Sequence, residues 1–251
     1  MGSSADKPKL IINGKRVDGR GFGEMRPMKI EAGVLKNADG SAYLEQGKNR
    51  ILAAVFGPKE ATPRHMAKAD RAIIKCRYAM APFSSLSEHG RSGPNRRAVE
   101  IAKVIREVFE NVVILEDFPG SQIDISIEVL QGDGGTRAAG ITAAAVALAN
   151  AGIPMKDIVY GISTGRIDEH IILDLDMIED NFSDADIPVA VSPRNNEILL
   201  LQMDGGMTKE QFKEAIGMVM ESGKTISKIQ RDALLEVYRK EEKRHEKNKK
   251  Q

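Results

Sequence analysis

One stretch of the sequence changes from the period of a strand to that of a helix across a run of glycines. Residues 123–129 alternate apolar and polar side chains, which predicts a half-exposed strand. Gly132-Asp133-Gly134-Gly135 follows, and then the alanine-rich residues 136–150, which predict a helix. The order strand, glycine loop, helix indicates a fold that mixes sheet and helix.

The segments before this loop have the pattern of an antiparallel meander. Apolar and polar residues alternate in residues 28–31, 41–45 and 51–56, and turn residues separate these segments. Residues 58–70 are charged and have no clear period, which predicts a surface loop. Residues 72–80 predict a further strand.

A helical period begins at residue 96. Apolar side chains recur at steps of three and four up to residue 112, which predicts an amphipathic helix with Asn95 as its N-cap. The apolar stripe consists of Ile101, Val104, Ile105, Val108, Phe109 and Val112.

The second half repeats the order of strands followed by a helix. Its helical region, residues 208–240, is predicted to be interrupted at Gly223. No repeat is visible residue by residue, but two successive halves of this kind indicate an internally duplicated α+β domain. The predicted strands lie near residues 158–166, 170–176, 189–191 and 197–203.

Composition favours a cytoplasmic protein. The 251 residues are 41% hydrophobic, and the single cysteine, Cys76, excludes an intramolecular disulfide and a zinc site built on thiolates. The polar residues 1–9 lack the apolar core of a secretory signal, and no apolar run approaches the roughly 18 residues of a membrane span. We therefore expect a reducing, cytoplasmic location and no membrane partner.

Net charge gives no argument for nucleic-acid binding. Residues 239–251 contribute +4 to a net charge of +1, so the rest of the chain carries −3. The charged tail, residues 241–251, is interpreted as a solvated helix end, with contact to RNA as the alternative. Between a flexible arm, residues 1–9, and this tail we place one domain, residues 10–240.

The glycine loop is a candidate phosphate site. At its junction with the predicted helix, unpaired N–H groups and the positive end of the helix dipole attract anions, and Thr136 and Arg137 follow directly. The alternative is a tight turn in which glycine only permits positive φ. The loop matches neither the dinucleotide-binding nor the Walker pattern.

Two adjacent arginines, Arg96 and Arg97, form a second candidate anion site at the start of the amphipathic helix. Glu100, one turn later, is placed to orient one of them. The alternative is an ordinary solvated helix end. Further basic residues lie in the flanking loops, namely Arg64, His65, Lys68 and Arg91.

A run of carboxylates is the third candidate site. The run leaves one predicted strand, turns around residues 181–183 and enters the next strand. Converging carboxylates suit a general acid or an Mg²⁺ site, because like charges raise a neighbouring carboxylate's pKa and hard cations take oxygen ligands. An exposed acidic turn is the alternative. The carboxylates are Asp174, Asp176, Glu179, Asp180, Asp184 and Asp186.

In their order and spacing these clusters resemble the ribonuclease PH family. The resemblance covers residues 10–240, and the ordered conjunction of its motifs is more specific than any one of them. Gly132 stands where the bacterial enzyme commonly has alanine. The motifs are Arg16-Val17-Asp18-Gly19-Arg20, residues 95–107 with their Arg97-Ala98-Val99-Glu100-Ile101 core, residues 130–139, and Leu173-Asp174-Leu175 through Asp180 to Asp186.

Within the family, Pro94-Asn95-Arg96-Arg97 and Thr62-Pro63-Arg64-His65 resemble the catalytic ring subunit of the archaeal exosome more than the bacterial tRNA-trimming enzyme. A noncatalytic ring subunit is less similar, since by resemblance it lacks the catalytic aspartate that Asp186 would supply. The implied fold is a pair of related β/α halves. The implied assembly is a hexameric ring of three heterodimers with a related noncatalytic subunit, together with RNA-binding cap subunits.

The resemblance also implies the roles of individual residues. Asp180 and Asp186 would flank the scissile bond, and the sequence does not choose between a general acid and a pair of Mg²⁺ ligands. Inorganic phosphate, the co-substrate, would be bound by Gly135, Thr136, Arg137 and Arg97. The residues implied to contact RNA are Arg96 and Arg97 at its 3′ end and Arg64 and His65 at the neck of a central channel.

The implied activity is phosphorolytic 3′-to-5′ degradation of single-stranded RNA with release of nucleoside 5′-diphosphates. Reverse 3′-tailing would be accessible, because little free energy separates reactants from products in phosphate exchange. The alternatives are a homohexameric tRNA 3′-processing phosphorolase and a noncatalytic RNA-binding ring subunit.

Overall fold

The first half of the chain builds a five-stranded sheet with two helices. The computed structural model describes residues 8–84 and 96–248, with side chains up to residue 239. A short hairpin precedes the sheet, whose strand order is β3-β4-β5-β7-β6, antiparallel except for the β6–β7 pair. The elements are β1 (Ile11–Ile12), β2 (Lys15–Arg16), β3 (Met28–Ala32), β4 (Gly40–Gln46), β5 (Asn49–Glu60), β6 (Ile73–Met80), α1 (Arg96–Val112), β7 (Ser121–Gln131) and α2 (Thr136–Asn150).

The predicted meander and both predicted helices of this half are confirmed. Of the apolar stripe of α1, Val104 is half-buried and the other five residues are buried. The predicted N-cap, Asn95, lies outside the described residues. The loop predicted at residues 58–70 is partly wrong, because β5 continues to Glu60 by pairing with β7, a long-range contact that local period does not reveal.

The second half builds an antiparallel sheet of order β11-β10-β8-β9, and β12 pairs with β10. The prediction of strands followed by a helix in this half is confirmed. Strand β9 ends before Asp174, whose positive φ of 57° leaves the extended conformation. The elements are β8 (Tyr160–Ile167), β9 (His170–Leu173), α3 (Met177–Phe182), β10 (Ala185–Ser192), β11 (Glu197–Leu201), β12 (Asp204–Gly205) and α4 (Lys209–Asn248).

Helix α2 lies between the two halves. It contacts β4 and β5 of the first sheet and β8 of the second. Its residues from Ala138 to Leu148 are all buried. A helix covered on all sides needs an apolar composition rather than an apolar stripe, which explains its run of alanines. The glycine loop that precedes α2 therefore lies at the junction of the two halves.

The predicted interruption at Gly223 is wrong, because α4 is continuous from Lys209 to Asn248 and passes through residue 240. Gly223 faces the ring of Tyr160, and a Cβ at this position would come within 3.0 Å of it. The Tyr160 hydroxyl donates a hydrogen bond to the Val219 carbonyl at 3.1 Å, which holds the ring against the helix. Glycine at this position permits a close approach instead of ending the helix.

Gly223→Ala is expected to destabilise the fold by about 1–3 kcal/mol, because the new Cβ displaces the Tyr160 ring. Gly217→Ala is the matched control. Among the described residues, nothing outside its own helix backbone lies within 4 Å of a Cβ there. The control should therefore gain up to about 1 kcal/mol from helix propensity. Urea unfolding measures both shifts, and equal stability of the two variants would contradict the contact.

None of the helices in residues 8–84 and 96–248 combines the length and the apolar character that a membrane span requires.

Candidate active site

The glycine loop connects β7 to the first turn of α2. Gly134 and Gly135 adopt positive φ, 75° and 65°, which residues with a Cβ rarely do. Gly135 occupies the N-cap position, where it offers no side chain to the first N–H groups of the helix. The loop is therefore a tight turn, and it also ends in a helix terminus of the kind that binds anions.

Hydrogen bonds from two side chains fix the conformation of the loop. Asn49 donates to the Gly134 carbonyl at 2.7 Å and accepts from the Asp133 N–H at 2.6 Å. Arg26 donates to the carbonyls of Asp133 and Gly134, the latter at 3.3 Å. With these carbonyls bound, the peptide planes of the loop are held in one orientation.

The first turn of α2 carries the two predicted phosphate ligands. The Thr136 hydroxyl oxygen accepts a hydrogen bond from the Tyr78 hydroxyl at 2.8 Å. The Arg137 guanidinium donates to the side chain of Gln202. Gln202 in turn donates to Glu100 at 3.4 Å. Orientation of a neighbouring arginine by Glu100 stays a prediction. These contacts link the starts of α1 and α2 to the end of β11.

The acidic run is built around a short helix. The turn predicted at residues 181–183 is the end of α3, which begins with a capping box formed by Asp176 and Glu179. Asp174 and Glu179 are 1% and 2% exposed. The alternative of an exposed acidic turn is therefore wrong. Arginines of the N-terminal segment cover these carboxylates, and the local sequence could not show this contact.

The six carboxylates do not converge as one set. Asp174 and Glu179 are buried against arginines. Asp176 caps α3, and Asp184 accepts a hydrogen bond from the Asp168 N–H at 2.8 Å. The remaining two, Asp180 and Asp186, are partly buried and lie within electrostatic range of the two helix-terminal arginines.

Asp186 is the carboxyl group of the site whose pKa lies near neutral pH. It lies on β10 in register with Asp204 of β12. Burial raises the pKa of Asp186 to about 7, helped by the negative charges of Asp180 and Asp204 and opposed by Arg137 and Arg97. Burial also raises the pKa of Asp180. A carboxylic acid that titrates near neutral pH can donate and recover a proton during a reaction.

The raised pKa of Asp186 predicts a pH-dependent stability. The folded chain keeps the proton of Asp186 at pH values where the unfolded chain has lost it. The contribution of this group to the free energy of unfolding is therefore present at acidic pH and is lost as pH rises through about 7. We expect Asp186→Asn to be more stable than the wild type by roughly 1–3 kcal/mol near pH 8, with the difference shrinking toward acidic pH. Urea unfolding across this range tests it, and a pH-independent difference would contradict the shift.

The residues predicted to contact RNA lie in two places. Arg96 is exposed beside Arg97 at the start of α1. Arg64 and His65 lie on an exposed 3₁₀ turn, where Arg64 forms an ion pair with Glu60 at 2.7 Å. This turn follows the far end of the 12-residue β5, whose first residue contacts the glycine loop. A strand of that length spans roughly 30–40 Å, so the two places are well separated.

One further basic residue predicted to lie in the flanking loops, Arg91, lies outside the described residues. The described residues also bear on metal binding. In residues 8–84 and 96–248, no group of three or more His, Cys, Asp or Glu side chains is arranged to hold a metal ion. An Mg²⁺ ion held by Asp180 and Asp186 would take its further ligands from other oxygen donors, such as water or phosphate oxygens.

Sequence reasoning missed five residues that build the site: Arg26, Asn49, Tyr78, Gln202 and Asp204. Tyr78 and Gln202 were assigned only to predicted strands. Asp204 is placed beside Asp186 by strand register, which pairs residues that are distant in sequence. For Arg26 no local signal existed, because it lies in an aperiodic segment.

Comparison with known families agrees with this architecture. The model of the 3′ exoribonuclease family, domain 1, matches residues 24–154, and that of domain 2 matches residues 157–237. The boundary between them falls between α2 and β8, where the first half of the fold gives way to the second. The chain belongs to the ribonuclease PH family of 3′ exoribonucleases, which confirms the predicted membership and two-part fold.

Individual relatives show which members of the family this chain resembles. The exosome complex component Rrp41 of Thermoplasma volcanium is 56% identical over 238 residues, covering 94% of this chain and 96% of that protein. Rrp41 of Thermococcus onnurineus is 55% identical and covers 95% of each chain. The predicted similarity to an archaeal exosome subunit is thus confirmed.

Solved structures share the fold. Rice (Oryza sativa) Rrp46 superposes with a TM-score of 0.78 at 25% identity, covering 88% of this chain and 100% of that one. An Archaeoglobus fulgidus exosome with RNA bound to the active site superposes with a TM-score of 0.74, covering 85% of this chain and 92% of that one. At 22% identity, the second comparison supports the fold alone.

Proposed function

We propose that this chain is a phosphorolytic 3′-to-5′ exoribonuclease that uses inorganic phosphate to release nucleoside 5′-diphosphates from single-stranded RNA. One observation carries the proposal. The partly buried Asp186, with a pKa of about 7, lies within electrostatic range of Arg97 and Arg137 in the first turns of two helices. The N–H groups of the helix ends and the arginines can bind an attacking phosphate, and the carboxylic acid can protonate a leaving oxygen.

The reaction requires two anions to approach each other. A phosphate oxygen attacks the phosphorus of the terminal phosphodiester, the bond to the preceding 3′ oxygen breaks, and that oxygen takes a proton from Asp186. Arg97, Arg137 and the N–H groups of Gly135 and Thr136 position and neutralise the phosphates. The products are a nucleoside diphosphate and an RNA one nucleotide shorter, and the reverse reaction extends RNA from diphosphates.

Asp180 and Asp186 also fit Mg²⁺, which commonly binds through one or two carboxylates together with phosphate oxygens and water. The ion would neutralise charge on the phosphates. In that case the raised pKa values of both carboxyls would fall on metal binding, and the proton for the leaving oxygen would come from solvent.

The separation of the basic residues supports an extended RNA path. Arg96 and Arg97 would hold the 3′ end at the reaction site, while Arg64 and His65 would contact the strand upstream. Single-stranded RNA binds along continuous basic grooves, and this chain without its tail is net acidic, which favours a neighbouring subunit that supplies part of the groove.

We propose that this chain assembles with a related noncatalytic subunit into a hexamer of three heterodimers that carries RNA-binding caps. The relatives, which are named as exosome complex components, support membership of a multi-subunit complex. We also propose a cytoplasmic location, which rests on cysteine usage alone.

Incubating the ring with body-labelled single-stranded RNA, with and without phosphate, tests the proposal. Diphosphates that appear only with phosphate support it. Monophosphates would indicate hydrolysis, and RNA binding without any product would indicate a noncatalytic ring subunit. Full activity of the lone chain as a homohexamer would favour the tRNA-processing phosphorolase instead.

A further inference from the structure

Arg26 connects parts of the site that come from the two halves of the chain. Its side chain is 5% exposed. Toward the glycine loop it donates to the carbonyls of Asp133 and Gly134. Toward the carboxylate segment, which we define as residues 174–186, its Nε and Nη2 donate to the two carboxylate oxygens of Asp174 at 3.0 and 2.7 Å. Its backbone N–H donates to the same carboxylate at 2.7 Å.

The glycine loop and the carboxylate segment also touch directly. A Cβ at Gly134 would come within 2.5–2.7 Å of the backbone of Leu175 and Asp176. Helix α3, which carries Asp180, begins immediately after this contact. Movement of the loop therefore cannot be separated from movement of the segment that bears the carboxylates.

Two neighbours of Arg26 contact only one of these parts through the hydrogen bonds of their side chains. Asn49 bonds to the glycine loop at Asp133 and Gly134 and not to the carboxylate segment. Arg16 bonds to Glu179 and to the carbonyl of Asp174, and not to the loop. These statements hold for the described residues, and they make Asn49 and Arg16 one-sided controls for Arg26.

The chemistry of the arginine side chain suits this bridging position. A guanidinium is planar and presents five N–H donors in a fixed geometry, so one side chain can bind a carboxylate with two donors and loop carbonyls with the others. A lysine ammonium keeps the charge but cannot span both sets. A buried ion pair adds little net stability over apolar packing, so its geometry is the feature that matters here.

We propose that Arg26 is a positioning residue that sets the register between the glycine loop and the carboxylate segment, so that bound phosphate and Asp186 meet at the scissile bond. The inference rests on the proposed phosphorolysis. It assigns Arg26 no contact with substrate, and it predicts that the residue influences phosphate binding and turnover together.

The test compares Arg26→Lys, Asn49→Ala and Arg16→Lys in the assembled ring, after circular dichroism melting has shown that each variant folds. Phosphate-dependent release of diphosphates gives KM for phosphate and kcat, and calorimetry with inorganic phosphate gives its affinity without turnover. Arg26→Lys should raise KM and lower kcat, each by about tenfold or more. Asn49→Ala should mainly raise KM, and Arg16→Lys should mainly lower kcat.

An Arg26→Lys ring whose KM, kcat and phosphate affinity all stay within about threefold of wild type would overturn the inference, as would a change in only one parameter. If Arg26→Lys does not fold, Gly134→Ala disturbs the same junction from the loop and should again change both parameters. Failure of the wild-type ring to release diphosphates would refute the proposed phosphorolysis, whereas phosphate binding to the variants would still report on the loop.

Discussion

Asp186→Asn is expected to lower turnover by about 10³-fold or more while RNA affinity stays nearly unchanged, because the substitution keeps the size of the side chain and removes its proton and charge. In the wild type, kcat should fall as pH rises above about 7, since the acid form is the one that protonates the leaving oxygen. Single-turnover kinetics with labelled RNA, together with filter binding, separate the two effects.

Asp204→Asn is the matched control for this substitution. Asp204 lies beside Asp186 on the neighbouring strand but is exposed. Removing its negative charge should lower the pKa of Asp186 and shift the fall of kcat to lower pH, while turnover at acidic pH remains. Activity of Asp186→Asn within about threefold of wild type would remove this residue from the chemistry.

The double substitution Arg97→Ala with Arg137→Ala is expected to reduce kcat/KM for phosphate by about 10²–10⁴-fold, because each charge-assisted contact contributes roughly 1.5–3 kcal/mol. Both arginines also oppose the rise in the pKa of Asp186, so the fall of kcat in the variant should move to higher pH. Phosphate titrations of the initial rate at several pH values measure both changes.

Lys103→Ala with Arg106→Ala removes the same charge from later turns of α1. These side chains form helix-surface pairs with Glu107 and Glu110, which contribute little. The control should therefore leave KM for phosphate within about twofold of wild type. If the two double variants lowered kcat/KM equally, general loss of positive charge rather than a phosphate site would explain the effect.

Regular elements were predictable where the local pattern and the packing agree. The stripe of α1 and the alanine run of α2 gave the bounds of both helices, because one helix covers a sheet with a single face and the other is enclosed by two sheets. The predicted interruption at Gly223 was wrong because glycine also occurs inside helices where another side chain packs closely against the backbone. The side chain that does so here, Tyr160, lies far away in sequence. The extension of β5 depends on β7 in the same way.

The candidate site was predictable in its residue types but not in its arrangement. Clusters of glycine, arginine and aspartate in the sequence predict a phosphate-binding site. The structure brings Arg97, Arg137, Asp180 and Asp186 together. The sequence did not show which carboxylates of the acidic run are buried ion-pair partners, because burial of Asp174 and Glu179 depends on arginines more than a hundred residues earlier. The predicted roles of the site residues stay predictions until variants are measured.

The origin of the oxygens in the released nucleotide tests the central claim most directly. The assembled ring is supplied with unlabelled single-stranded RNA and ¹⁸O-labelled inorganic phosphate, and the released nucleotides are identified by mass spectrometry. Phosphorolysis predicts nucleoside diphosphates whose β-phosphate carries the label, because the attacking oxygen and its phosphorus both come from the added phosphate. Nucleoside monophosphates without label, formed equally well without phosphate, would contradict the account.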